Sequence, residues 1–547
     1  MSDLDDSDFQ YANLDESDIE DSEESDVSSD ISSDEDDEPS VWRRVNVDQP
    51  DVPPLRFPFT GKAGCTFDLE DDHEVLQYFR LFIDDELLYL LIVEINNYAE
   101  QQPSTASRRW KLVSRNEIMI YLTINIIQGI LKLPVEKMYW TTSDIFSTPI
   151  FPKLMTSKRY FEIKKKFHFY NNAEYNPELH PNPKLHKIWP VFQHLNKKFS
   201  TLYIPEEDVT IDESLMLYKG RLGWVQYIPL KRARFGIKLY MLCESKSGYL
   251  FSCLIYTGKG TVISEKFKSL PITCQVVLSL MDLLLDKGYC LTTDNFYTSP
   301  ELSTILIEHV TDSYGTLRIN RKGLPPLLKT EKLKKGEIVA FQKEKTMVMK
   351  WKDKRDICLL STVHNTETIA THKKDADGNE IFKLKLVVDY NHTMGGVDRL
   401  DQHIQHYEIT RKRGKKYYKK IFFHFLDIAL WNSFVLYKKK GRKMDNLQYR
   451  KSLIEKLISN YHSDQDLRKQ GRPPKKPGSL RLTERHFPEI IPPTDKKQAP
   501  TRQCAVCCKS DEKGKKIRRE SRYYCDPCKV GLCVAPCFRI FHTKEKF

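Results

Sequence analysis

VTIDESLMLYKG, residues 209–220, is dense in β-branched and aromatic residues and carries an acid, Asp212, inside what reads as a strand. FGIKLYMLCESKSGYLFSCLIYTG (235–258) has the same character, and its ESKSG breaks it into two strands around a tight turn. TCQVVLSLMDLLLDKG (273–288) has apolar residues at helical spacing and a glycine stop, which predicts a helix. YCLTTDNFY (289–297) is a short buried strand that runs into polar residues at Asp294, and GTLRIN (315–320) is a further strand. The order strand, strand, strand, helix, strand predicts an α/β fold with a mixed sheet flanked by helices.

Upstream the pattern is helical. VLQYFRLFIDDELLYLLIVEINNYA (75–99) repeats apolar residues three and four apart, Ser114 and Glu117 have capping-box spacing ahead of a second helix, and SKRYFEIKKKFHFYNN (157–172) is a basic amphipathic segment. Downstream, residues 321–384 are Lys-rich with two apolar patches that suit a small β insertion. KKYYKKIFFHFLDIALWNSFVLY (415–437) returns to helix, and 464–500, with GRPPKKP and IIPPTDKKQAP, reads as an open linker.

The chain has 547 residues, which predicts two to four folded units. Its net charge of +11 is uneven: residues 1–40 hold eighteen Asp and Glu, ten Ser and no Lys or Arg, so the remaining 57 acids and 86 bases sum to +29. The acidic region, taken as 1–60, is expected to be disordered. The basic remainder suits a polyanionic partner, nucleic acid before an anionic membrane. The opening MSDLDDSDFQ has no secretory character and no run approaches the ~18 apolar residues of a membrane span, so the reading is a soluble intracellular protein.

Asp212, Asp294 and Asp398, the last following the double glycine of HTMGGVDRLDQ, suit a hard divalent cation. Two cations ~4 Å apart activate one oxygen and neutralise another in phosphodiester chemistry. Asp401, three residues on, shares a helix face with Asp398 and is either a fourth ligand or a support. Among 75 acids the spacing alone is unspecific. IDESLMLYKGR, TTDNFYTS, GTLRINRKGLP and DYNHTMGGVDRLDQ, in this order, together with MYWTTSDIF and KKKFHFYNN, resemble the motif blocks of the piggyBac family of DDE/D transposases. The resemblance implies catalytic aspartates at Asp212, Asp294 and Asp398, with Asp401 beside them. It implies an RNase H-like catalytic core (208–320 and 385–407) interrupted by an insertion domain (321–384), and a split α-helical dimerisation and DNA-binding domain (68–207 and 408–486). It further implies a homodimer in the nucleus that uses two Mg²⁺ ions per site to nick transposon ends, form hairpins and join TTAA targets in double-stranded DNA. The competing readings are a domesticated DNA-binding protein that has lost mobility, and a metal-dependent nuclease of another family with the same core.

Past a linker at 487–502, residues 503–547 form a cysteine-rich segment. Cys504 and Cys507, then Cys525 and Cys528, are CxxC pairs, followed by Cys533, Cys537 and His542. In a reducing compartment such pairs ligate Zn²⁺. Seven ligands fall one short of two tetrahedral sites; Cys508 is a candidate eighth, and the partition between two cross-braced zincs is open. In the family this domain binds transposon-end DNA. RKRGKKYYKK (411–420) makes Arg411, Lys412, Arg413, Lys415, Lys416, Lys419 and Lys420 candidate phosphate contacts. Arg472, in KQGRPPKKP, sits in a segment that resembles a minor-groove hook but suits nuclear import or a linker better.

Overall fold

The computed structural model describes residues 42–49, 52–69, 74–101, 110–229, 231, 233–258, 261, 263–374, 378–409, 414, 416–462, 485–495, 497–508 and 518–544. The acidic stretch 1–40, Arg411, Lys412, Arg413, Lys415 and Arg472 therefore lie outside the described residues. The chain divides into two compact units, one ending at His462 and one beginning at Ser463.

The first unit is built on a sheet of strands β1 (Arg43–Arg44), β2 (Asp208–Leu217), β3 (Gln226–Tyr227), β4 (Phe235–Glu244), β5 (Leu250–Ile255), β6 (Cys290–Thr293), β7 (Asp312–Thr316), β8 (Ile338–Lys343), β9 (Thr346–Lys352) and β10 (Asp356–Ser361). Its centre runs β5-β4-β2-β6-β7. The first three strands are antiparallel, while β2, β6 and β7 are parallel. That is the RNase H-like arrangement, and the predicted strands follow in the predicted order, except that the one expected at 315–320 lies earlier, at Asp312–Thr316. Alternation along β2 sorts its two faces: Val209 and Ile211 enter one apolar core with helices α5 (Ile272–Met281) and α6 (Pro300–Glu308), while Met216 enters another on the opposite face.

That second core is shared with the helices. α1 (Asp85–Glu100), α2 (Arg115–Ile130), α3 (Ser157–Lys166), α4 (Trp189–Thr201), α9 (Tyr417–Lys439) and α10 (Asn446–Tyr461) contribute buried residues to the same cluster as Met216, Ile237, Leu239 and Met241. Asn432 of α9 fastens the two layers, accepting the Leu250 amide (3.0 Å) and donating to its carbonyl (2.9 Å). Ser114 caps α2 by accepting the Glu117 amide, as predicted, but Glu117 turns its own carboxylate to Arg159 of α3 (2.6 and 2.7 Å).

The Lys-rich insertion holds β strands, as expected: β10 pairs antiparallel with β7, and β8 and β9 extend the central sheet outward, with a separate hairpin at Thr368–Lys374 and Glu380–Leu384. One sequence expectation is corrected: the region up to residue 60 is not unstructured throughout. β1 pairs with β8, and the extended segment after it straps the ends of the central strands. There the Phe57 amide donates to Asp312 (2.8 Å), Arg56 pairs with Glu207 (2.8 Å) and Asp208 (3.2 Å), and the Thr60 amide donates to the Lys287 carbonyl (2.9 Å). A proline-rich strap has no periodicity of its own, because all its partners are elsewhere in the chain. Among the described residues no helix is long and apolar enough to cross a membrane.

Candidate active site and metal clusters

Ile211 of β2 lies opposite Thr293 of β6 in parallel register, so Asp212 and Asp294 occupy the next matching positions of neighbouring strands. Adjacent parallel strands lie ~4.8 Å apart, which sets the two side chains close together without any loop to define. Asp398 comes from the first turn of α8 (Gly396–His406), which packs over β2. The close approach depends on Gly396: a Cβ there would lie 2.6 Å from Thr210 Cγ2 and 3.1 Å from the Glu244 carbonyl. Gly315 plays the same part beside β6, where a Cβ would meet the Thr293 carbonyl at 2.0 Å. Asp401, one helical turn after Asp398, has both carboxylate oxygens on the Ser214 hydroxyl (2.8 and 2.9 Å). Ser214 shares the β2 face of Asp212, two residues away.

The pocket is electrostatically underpaid. Burial pushes the Asp212 carboxyl well above the ordinary range, and the charges of Asp294 and Asp398 push it further, against the pull of Lys231. Burial likewise raises Asp294 to about 6, with Glu213 adding to it, and Asp401 to about 6 despite the Ser214 bond. Among the described residues no cation pairs with Asp212, Asp294 or Asp398 within 4.0 Å. As a set, the three carboxylates do not close to within 4.8 Å of one another. A gap lined by hard oxygens with unmet negative charge suits divalent cations. The residues fit the ion that the fold implies.

Lys231, which the sequence reading passed over, donates from Nζ to the Glu213 carbonyl (3.3 Å), next to Asp212. The charges of Asp212, Asp398, Asp401 and Glu213 raise its pKa. Glu213 itself points to the opposite face of β2, pairing with Lys238 (2.6 Å) and accepting from Tyr297 (3.3 Å).

The described basic candidates separate. Lys416 is exposed. Lys420 is 4% exposed and donates to the Leu217 carbonyl at the end of β2, so it is a packing group and not a surface contact. Lys419 donates to the Lys164 and Lys165 carbonyls (2.6 and 3.2 Å), closing the C-terminus of α3. Burial and the nearby charges of Lys164 and Lys416 bring its pKa down to about 7.

In the second unit, Cys504, Cys507, Cys533 and Cys537 place four sulfurs within 4.8 Å of one another, and His486, Cys525, Cys528 and His542 do the same with two nitrogens and two sulfurs. The Cys507 sulfur is 3.3 Å from that of Cys537 and 4.0 Å from that of Cys533. Nδ1 of His486 is 3.3 Å from Cys525, and Nε2 of His542 is 3.6 Å from Cys528. Tetrahedral zinc with bonds of about 2.0–2.3 Å requires ligand edges of about 3.3–3.8 Å. Read along the chain, the two sets interleave as a cross-brace. Cys508 belongs to neither set, its sulfur lying 4.0 Å from the Arg519 carbonyl; the eighth candidate ligand atom is on His486, inside the span expected for the helical domain. Nδ1 of His542 faces the Phe538 carbonyl (2.8 Å), which leaves Nε2 as the ligand nitrogen. Burial pushes the Cys504 thiol up, but the amides of Cys507, Cys533 and Val506 outweigh it and bring the thiol to about 7.

A mixed RNase H-like sheet with aspartates at this register defines the class of DDE transposases and related nucleases. A family model described as "Transposase IS4" matches residues 75–434, and one described as "DDE_Tnp_1-like zinc finger" matches 484–543. The chain belongs to the piggyBac family of transposases. PiggyBac transposable element-derived protein 3 of Homo sapiens is 25% identical over 478 residues, 85% of this chain and 75% of that protein. PiggyBac transposable element-derived protein 2 of Homo sapiens is 26% identical over 408 residues, 72% of this chain and 66% of that protein. The cryo-EM structure of a piggyBac transposase synaptic complex with hairpin DNA shares the fold, with a TM-score of 0.65 at 21% identity, covering 86% of this chain and 99% of that one.

Proposed function

We propose that this protein is a cut-and-paste transposase that cleaves and rejoins DNA strands at transposon ends. The observation that carries this is the matched register of Asp212 and Asp294 on parallel strands, with Asp398 delivered over them by α8. Asp212, Asp294 and Asp398 would hold Mg²⁺, two ions per site; when bound, the metal activates the attacking oxygen and offsets charge on the leaving one. Ser214 fixes Asp401, which in turn braces the first turns of α8, so Asp401 supports the site. The reading includes nicking, attack of the freed 3′-hydroxyl on the opposite strand to form a hairpin, and joining at TTAA. It places a homodimer in the nucleus. In the second unit, the two interleaved ligand sets would hold one zinc each and contribute to binding end DNA. The candidate contacts in the basic segment are Lys416 and its neighbours. A second reading, a DNA-binding derivative without transposition, is favoured by the names of the human relatives, each called transposable element-derived.

An excision assay with a marked element separates the two. Asp294→Asn is expected to reduce excision at least a thousandfold while end-DNA affinity changes less than threefold. A wild-type chain that binds ends but never excises favours the derivative. Excision by the Asp294→Asn variant at the wild-type rate removes the assignment altogether.

A further inference from the structure

Lys231 is placed as a functional group and not as an ordinary ion-pair partner. It is half-buried on the turn between β3 and β4, and the turn is pinned by main-chain bonds from the Lys231 amide to Ile228 and from the Arg234 amide to Lys231. Its ammonium donates to a main-chain oxygen of β2, at Glu213, directly beside Asp212. It feels Asp212, Asp398 and Asp401, yet no described carboxylate reaches it within 4.0 Å. A lysine that served only to neutralise the pocket would settle onto one of these oxygens, as Lys238 does on Glu213 at 2.6 Å. Lys231 instead stands at the margin of the gap, held by a neutral acceptor, with donor capacity left over. Ammonium at that margin complements a further anion entering the gap alongside divalent ions. In phosphodiester chemistry that anion is the phosphate itself.

We propose that Lys231 is a substrate-binding residue for the phosphodiester, its ammonium taking a non-bridging oxygen of the phosphate that enters the gap between Asp212, Asp294 and Asp398. The proposal rests on the strand-cleavage reading above. It differs from the aspartates' role in its signature: loss of Lys231 removes a contact to substrate and leaves the metal ligands untouched.

The test uses the full chain as wild type, Lys231→Ala, Lys231→Arg and Asp294→Asn. Mn²⁺ binding is followed by electron paramagnetic resonance, and cleavage of a labelled transposon-end duplex is followed at saturating Mn²⁺; melting temperatures verify that each variant folds. Lys231→Ala is expected to bind Mn²⁺ at least as tightly as wild type, because a like charge has been removed. It should cleave at least thirtyfold more slowly, and Lys231→Arg should recover most of that rate. Asp294→Asn should lose both. If Lys231→Ala cleaves within threefold of wild type, the proposal fails while strand cleavage stands. If Lys231→Ala loses Mn²⁺ as Asp294→Asn does, Lys231 organises the carboxylates and the proposal also fails. Should the wild type bind Mn²⁺ and ends yet cut nothing, the cleavage reading falls and takes this one with it.

Discussion

The acid pocket and the cysteine-rich unit each gather ligands from distant parts of the chain, but they do so in opposite ways. Asp212 and Asp294 are set by a β ladder whose two faces are covered by large apolar clusters, so the frame exists before any ion arrives. In the second unit the apolar cluster is largely the ligands themselves: Cys504, Cys525 and Cys537 are three of its five buried members, beside Leu532 and Phe538. Its strands are short, Pro488–Ile490 pairing with Tyr523–Cys525 and the latter with Val530–Gly531. One region would position metal with a fold; the other would fold with metal. The difference follows from core size, since so small a segment buries too little apolar surface to stand alone.

The largest effect tests that contrast directly. A structural zinc supplies an apparent ~10–16 kcal/mol to folding, comparable to the whole stability of a domain, ~5–15 kcal/mol. Stripping zinc from the full chain is therefore expected to unfold the described residues of the second unit and leave the central sheet intact. Hydrogen exchange checks this: amides of the second unit should lose all protection on chelation, while those of β2, β4 and β6 keep theirs. Retained protection around Cys525 and Cys537 would erase the distinction between the two regions.

A narrower test concerns the partition of ligands. His486→Ala is expected to reduce bound zinc from two equivalents to one, measured by elemental analysis, and to destabilise the unit by several kcal/mol. Cys508→Ser should keep both equivalents, because its sulfur lies outside both ligand sets. The reverse outcome would reassign the eighth ligand to the residue that sequence spacing alone suggested.

What was legible in the sequence follows the same division. The strands of the central sheet could be read because dense β-branched and aromatic residues mark them locally, even where both faces are buried, and Asp294 could be placed at a strand end because polar residues begin there. Ser214 was within reach as well: it stands two residues from Asp212, and period two puts both on one face. Lys231 was not, since a lysine in a basic loop gives no sign of which charges will face it. His486 lay far from the CxxC pairs, and only the missing eighth ligand hinted at it. Lys419 and Lys420 were misread because a basic run on a helix looks solvated until the helix C-terminus and strand end that accept from them are known. The strap at 52–60 was missed because an extended segment carries no internal pattern, and its bonds run to Glu207, Asp208, Lys287 and Asp312.

The smallest expected effect sharpens the claim that the acid pocket is preformed at a cost. Asp294 has its folded-state pKa raised to about 6, above the ordinary 3.8 of the unfolded chain. A carboxyl raised in this direction binds its proton more tightly when folded, so its contribution to stability is full below about pH 4 and is lost as pH rises through 6. Without divalent metal at pH 7.5 the ionised group therefore opposes folding, by at most about 3 kcal/mol for a shift of roughly two units. Asp294→Asn removes the charge and keeps the shape. In magnesium-free buffer with zinc retained, the variant's catalytic unit should be about 1–3 kcal/mol more stable than wild type at pH 7.5, and the gain should vanish near pH 4. Urea unfolding followed by tryptophan fluorescence at the two pH values measures it. A variant that is less stable than wild type at pH 7.5 would mean that Asp294 is already satisfied by the protein, and that the gap between the aspartates is not waiting for a cation.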